Sequence, residues 1–116
     1  MQLTINATQI WVCSAPVDFR RSIDGLSEVI ISQFNRTPSD GLFIFFNRSR
    51  DKAKLLAWHT NGFVLLYKRL ERGRFTVLKT GDELISLEPR QLSWLLAGLD
   101  WVSMSRWNEL EYEDYN

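Results

Sequence analysis

Two runs of apolar residues, Leu55 to Thr60 and Phe63 to Arg69, meet at Asn61-Gly62, and this stretch constrains the fold more than any other. A two-residue type I′ turn needs positive φ at both central positions, which asparagine and glycine tolerate, so the sequence predicts an antiparallel hairpin. With Asn61-Gly62 as the turn, Thr60 pairs with Phe63, Trp58 with Leu65, Leu56 with Tyr67 and Lys54 with Arg69, on one side of the ribbon. Ala57 with Leu66 and His59 with Val64 take the other side.

Ile10-Trp11-Val12-Cys13 reads as a short strand. Ser14, Pro16 and Asp18 then supply helix-start chemistry, a capping hydroxyl or carboxylate and a proline suited to a first turn. Phe19, Ile23, Leu26, Ile30 and Phe34 form one helical stripe, with Arg20, Asp24, Ser27 and Glu28 turned away. Pro38, Asp40 and Gly41 end the segment in a turn. Leu42 to Phe46 is a continuous apolar run between turn residues, the pattern of a buried strand. A short strand at Leu84 to Leu87 precedes a helix opened by Pro89, with Leu92, Leu95, Leu96 and Leu99 as its apolar face and Gly98 as its stop. Trp101 is expected to pack back on the core. The expected fold is α+β: a mainly antiparallel sheet, a meander containing the Asn-Gly hairpin, with two helices packed on one face. Residues 1–107 read as a single domain and residues 108–116 as an acidic, mobile tail.

For 116 residues one core is the default, and five tryptophans and seven phenylalanines can fill it without disulfides or metals. Cys13 is the sole cysteine, so no intramolecular disulfide can form, which fits a reducing cytoplasm. Met1 to Ile10 lacks a basic region followed by an apolar run, so no signal peptide is expected. The apolar stretches are far too short to span a bilayer, and no membrane partner is expected.

The net charge is zero but unevenly spread. Residues 48–74 carry Arg48, Arg50, Lys52, Lys54, Lys68, Arg69, Arg72 and Arg74 against Asp51 and Glu71, a net +6, whereas the last nine residues carry four acids and no base. Such asymmetry suggests a polyanion partner; a solvated basic loop beside an acidic tail is the alternative. The hairpin sharpens the point. Asn47 to Lys52 enters it, and Leu70 to Phe75 leaves it, at the end opposite the turn, so the bases gather at one edge of the sheet. Lys68-Arg69-Leu70-Glu71-Arg72-Gly73-Arg74-Phe75 adds a glycine that admits close backbone approach, and arginine's planar fork suits phosphate oxygens. Phe75 or Tyr67 could stack on a base. Against this stands a local salt-bridge network centred on Glu71. Arg20 and Arg21 join the patch if their helix packs nearby.

The catalytic inventory is thin. His59 is the sole histidine, Cys13 has no evident partner base, and neither a phosphate-binding glycine loop nor a nucleophile elbow occurs. Asp18, Asp24, Asp51 and Glu71 could make a two-metal carboxylate set, but helix-start and arginine-pairing roles fit them better. No catalytic residue, metal, cofactor or small-molecule substrate is expected.

These residues together resemble a known family. Asp18-Phe19-Arg20-Arg21-Ser22-Ile23-Asp24-Gly25-Leu26 is similar to its helix motif, Lys68-Arg69-Leu70-Glu71-Arg72-Gly73-Arg74-Phe75 to its Lys-Arg-Leu-Glu-Arg-Gly-Arg-Phe hallmark, and Leu95-Leu96-Ala97-Gly98-Leu99-Asp100-Trp101 to its closing motif. The family is the accessory protein encoded by the second open reading frame of insertion sequences of family sixty-six, often called TnpB and unrelated to the RNA-guided nuclease of that name. Ser22 stands where the family usually has glycine, and Thr76-Val77 where Trp-Pro is frequent. The resemblance implies a role in transposition beside a larger transposase that holds the catalytic acids, and it carries over no catalytic residue.

The leading expectation is a non-catalytic accessory factor. Arg48, Arg50, Lys54, Lys68, Arg69, Arg72 and Arg74, with Arg20 and Arg21, would contact DNA, either the element's ends or a transposition intermediate. The alternatives are a module docking on the transposase or another accessory protein, and a small metal-dependent nuclease using Asp18, Asp51 and Glu71.

Overall fold

The computed structural model describes residues 5, 7, 9–78 and 83–106, so the acidic tail expected at 108–116 lies outside the described residues. Five strands, β1 (Ile10–Cys13), β2 (Leu42–Phe46), β3 (Lys52–His59), β4 (Gly62–Arg69) and β5 (Leu84–Leu87), form one sheet in the order β4-β3-β2-β1-β5. The chain runs β2-β3-β4 as the expected antiparallel meander. β1 lies parallel to β2, and β5 pairs antiparallel with β1 at the far edge. The α+β class and the mainly antiparallel sheet are therefore observed.

The parallel pair needs a crossover, and helix α1 (Ile23–Phe34) supplies it. α1 starts later than the periodicity predicts. Asp18 does not cap it: its carboxylate accepts the backbone N–H of Arg20 and holds the Arg20 guanidinium, so residues 18–21 form a tight irregular turn and Ser22 becomes the N-cap. At the other end Asn35 takes the left-handed conformation (φ 52°) and the N–H of Arg36 bonds back to the Ile30 carbonyl, which stops the helix. Pro38–Asp40 then makes one short 3₁₀ turn into β2.

The two helices pack on opposite faces, not on one. α1 lays Leu26, Val29 and Ile30 on Cys13, Phe43, Phe45 and Leu56. Helix α2 (Pro89–Leu96) seats Leu95, with Leu92, Trp94 and Leu96 around it, on the other face, where Ile10, Val12, Ile44, Phe46, Leu55, Ala57, Phe75, Val77 and Trp101 lie. The reason is visible in β2, whose five residues are all buried. A strand apolar on both sides needs a cover on both sides, and each fully buried Phe or Ile contributes roughly 1.5–3 kcal/mol. Trp101 packs on the core as expected, its indole N–H donating to the Thr76 carbonyl at 2.7 Å, whereas Leu99 is exposed and leaves the α2 stripe.

The hairpin register is shifted by two from the one expected. Trp58 pairs with Phe63, Leu56 with Leu65, Lys54 with Tyr67 and Lys52 with Arg69, and His59 with Gly62 closes the ladder. The turn residues are therefore Thr60 and Asn61, and Thr60 bears the positive φ (52°) while Gly62 has none. A shift of two keeps every side chain on its expected face. It also sets Trp58 edge-on to Phe63, with centroids 5.1 Å apart and planes at 82°, and it moves Lys54 from opposite Arg69 to opposite Tyr67. The aromatic pair, worth about 0.5–1.5 kcal/mol, offsets the local turn preference, while Arg69 faces a lysine in either register, Lys54 in the expected one and Lys52 in the observed one.

Candidate functional site

The expected basic edge is a corner built from two loops and the entry to α1. The loop joining β2 to β3 is organised by Asn47, whose Nδ2 donates to the Asp51 carboxylate at 2.6 Å and whose Oδ1 accepts the Lys52 N–H at 3.0 Å. That hydrogen bond comes first among the causes that hold Asp51 below its usual carboxylate range. Arg50 sits at φ 61°, which turns the chain tightly enough for its N–H to reach the Asn47 carbonyl. The loop after β4 is stitched to this one by two backbone hydrogen bonds of 2.7 Å, Leu70 N–H to the Asp51 carbonyl and Phe75 N–H to the Arg50 carbonyl. Phe75 is buried against Phe46, ring centroids 5.4 Å apart. The expected stacking role for Phe75 is thereby removed; it is the anchor of the arginine loop. Tyr67 remains exposed.

The two loops carry Arg48 and Arg50 on one side and Arg72 and Arg74 on the other, with Gly73 (φ 76°) letting the second loop turn. Among the described residues none of these four arginines makes an ion pair. The other bases are employed locally. Arg69 pairs with Glu71 at 2.9 Å, which raises the arginine's pKa further, and Arg20 pairs with Asp18 at 2.7 Å. The paired guanidinium brings Asp18 down to about 2. Lys54 donates to the Phe19 and Arg21 carbonyls, both at 2.8 Å, and so brings residues 18–21 over β3 beside the corner. Lys68, on the other face, donates to the Leu96 carbonyl at 2.6 Å, at the end of α2. Arg21 reaches back to the Gly25 carbonyl at 3.4 Å.

The nine bases singled out in the sequence thus converge on one end of the sheet, but in two classes. Four arginines are uncommitted, while Lys54, Lys68, Arg69, Arg20 and Arg21 hold local structure. The salt-bridge alternative is realised for Arg69 alone. Sequence reasoning missed Asn47, although an asparagine opening a tight polar loop is the signal for a side chain that closes its own turn. Of the four carboxylates considered for a metal, three are engaged elsewhere, Asp18 by Arg20, Asp51 by Asn47 and Glu71 by Arg69, and Asp24 sits in the first turn of α1. Among the described residues no three His, Cys, Asp or Glu side chains gather to hold a metal ion. A polar cleft of about 420 Å³ lies at the opposite end of the sheet, lined by Trp11, Asn35, Arg36 and Thr37 among others. There the Arg36 guanidinium covers the Trp11 ring at 3.9 Å. No described helix is long and apolar enough to cross a membrane.

A family model described as IS66 Orf2 like protein matches residues 8–106, which takes in β1, both loops of the corner and α2. The chain belongs to this family. Membership connects it to the transposition of insertion sequences. Two curated relatives from Sinorhizobium fredii (strain NBRC 101917 / NGR234) are similar along most of their length. The uncharacterized protein y4jC is 34% identical over 99 residues, 84% of this chain and 85% of its own. The uncharacterized protein y4hO is 34% identical over 94 residues, 80% and 82% respectively. No solved structure matches.

Proposed function

We propose that the chain is a non-catalytic accessory factor of transposition that binds nucleic acid through the phosphates, with Arg48, Arg50, Arg72 and Arg74 as its principal contacts. One observation supports the reading: two loops distant in sequence are stitched together by backbone hydrogen bonds, and each presents two arginines that form no ion pair among the described residues. Four guanidinium groups without an ion-pair partner among the described residues, held on a fixed frame, suit a ligand with repeated anionic oxygens. Lys54, Lys68, Arg69, Arg20 and Arg21 add positive potential around them while holding the frame.

Electrophoretic mobility shifts with element-end DNA and with unrelated DNA test the proposal. Both are expected to bind at low salt, because phosphate contacts carry no sequence information. Absence of any shift at low salt overturns the reading and moves the corner to an acidic protein surface. Co-purification with the transposase, lost on Arg72→Glu/Arg74→Glu, would then identify that partner.

A further inference from the structure

We infer that the open half of the α1 face, along β4 and the end of β3, is a stacking platform for single-stranded nucleic acid whose phosphates run onto the basic corner. The inference rests on the phosphate-binding reading of that corner and names the form of nucleic acid it takes.

α1 packs over Cys13, Phe43, Phe45 and Leu56, with Phe63 and Leu65 of β4 against the same cluster, and leaves the margin of this face at Trp58 and Tyr67 uncovered. Two large aromatic side chains stand exposed there, Tyr67 at 53% and Trp58 at 39%. The register puts both on one face, with Tyr67 opposite Lys54 and Trp58 opposite Phe63. Lys54 and Trp58 are four residues apart on β3, so the two rings are separated by roughly 13 Å along the strand. Each ring is braced by a second aromatic: Phe19 lies 6.4 Å from Tyr67, and Phe63 lies 5.1 Å from Trp58. Bracing fixes the rings before a ligand arrives and lowers the entropic cost of stacking on them. Leu65 lies between them, half-buried, so the surface joining the rings is apolar.

Charge says which ligand such a surface fits. Tyr67 precedes Arg69 by two residues on the same face of β4, and the chain beyond Arg69 enters the loop of Arg72 and Arg74. The neighbouring acids Asp18 and Glu71 are held by Arg20 and Arg69. A row of exposed aromatics that opens onto free arginines matches an unpaired strand, whose bases are free to stack while its phosphates meet the guanidinium groups. A duplex keeps its bases inside and can use only the arginines. Leu66, exposed at 42%, lies on the opposite face and takes no part.

The test compares a labelled single strand with its duplex, by fluorescence anisotropy at one salt concentration, for the wild type, Tyr67→Ala, Tyr67→Phe, Trp58→Ala and Leu66→Ala. All four substitutions are at exposed positions, and thermal melts check that each variant is folded. The wild type is expected to bind the strand more tightly than the duplex. Tyr67→Ala and Trp58→Ala should each weaken strand binding by about 5- to 150-fold and leave duplex binding unchanged. Tyr67→Phe, which keeps the ring, and Leu66→Ala should bind like the wild type. If the alanine variants hold the strand as tightly as the wild type, while Arg72→Ala/Arg74→Ala weakens strand and duplex alike, the platform is refuted and the phosphate site stands. If the wild type binds neither, the phosphate reading fails and the platform fails with it.

Discussion

Replacing Phe75 with alanine separates the frame of the basic corner from its charges. The side chain is 2% exposed and packs on Phe46, and its backbone N–H closes the stitch to Arg50. Deleting a fully buried phenylalanine costs about 3–5 kcal/mol, of which roughly 1 kcal/mol belongs to the aromatic pair. Phe75 lies in a loop whose backbone can partly collapse into the space, so a loss near about 3.5 kcal/mol is expected. Phe75→Leu keeps most of the volume and should lose about 1–2 kcal/mol. Urea unfolding measures both losses. A cycle with Phe46→Leu should return a coupling of about 0.5–1.5 kcal/mol. Because the loop loses its anchor, Phe75→Ala should also weaken polyanion binding under conditions where the variant remains folded, although Arg72 and Arg74 are both still present. A loss below about 1 kcal/mol with unchanged binding would refute the argument that this ring holds the arginine loop in place.

Two further predictions concern the hairpin tip and the buried thiol. Thr60 is β-branched at φ 52°, so Thr60→Gly should stabilise by about 0.5–1 kcal/mol, while Gly62→Ala, with open space around the new Cβ and no positive φ, should change stability by less than about 0.5 kcal/mol. In a turn centred on Asn61-Gly62 the alanine would instead be costly, so thermal melts of the two variants decide between the registers. Burial pushes the Cys13 thiol from 9.0 up to about 11. The unfolded chain therefore ionises first, so the stability held below pH 9 should decline as pH rises towards about 11, by at most about 3 kcal/mol, and Cys13→Ala should flatten that alkaline limb. A limb equally steep in the variant would assign it to other groups.

Much of the architecture is legible in the residues themselves. β1, β2, β5 and the opening of α2 at Pro89 sit where apolar runs, turn residues and a first-turn proline put them. What the patterns miss is decided by particular side-chain partners, some near in sequence and some far. Asp18 has the chemistry of an N-cap, but Arg20 two residues on takes its carboxylate, and α1 begins at Ile23 instead. Asn61-Gly62 favours one turn locally, yet Trp58 and Phe63 meet only when the ladder slides by two. The uniformly apolar Leu42–Phe46 carries the information that both faces need cover, and this separates α1 from α2. At the corner, charge type and loop position are readable, and so is the convergence of the bases. Which bases stay uncommitted is not, because the carbonyls that occupy Lys54 and Lys68 come from residues more than twenty positions away.

The salt dependence of binding tests the central claim most directly. Anisotropy titrations of labelled DNA across a salt series should give a log-log slope corresponding to roughly four phosphate contacts, one for each uncommitted arginine. Arg72→Ala/Arg74→Ala should reduce that slope by about two contacts while leaving the melting temperature close to the wild type's. A slope unchanged by the double substitution, or no binding even at low salt, would contradict the account and remove these arginines from any role in holding phosphate.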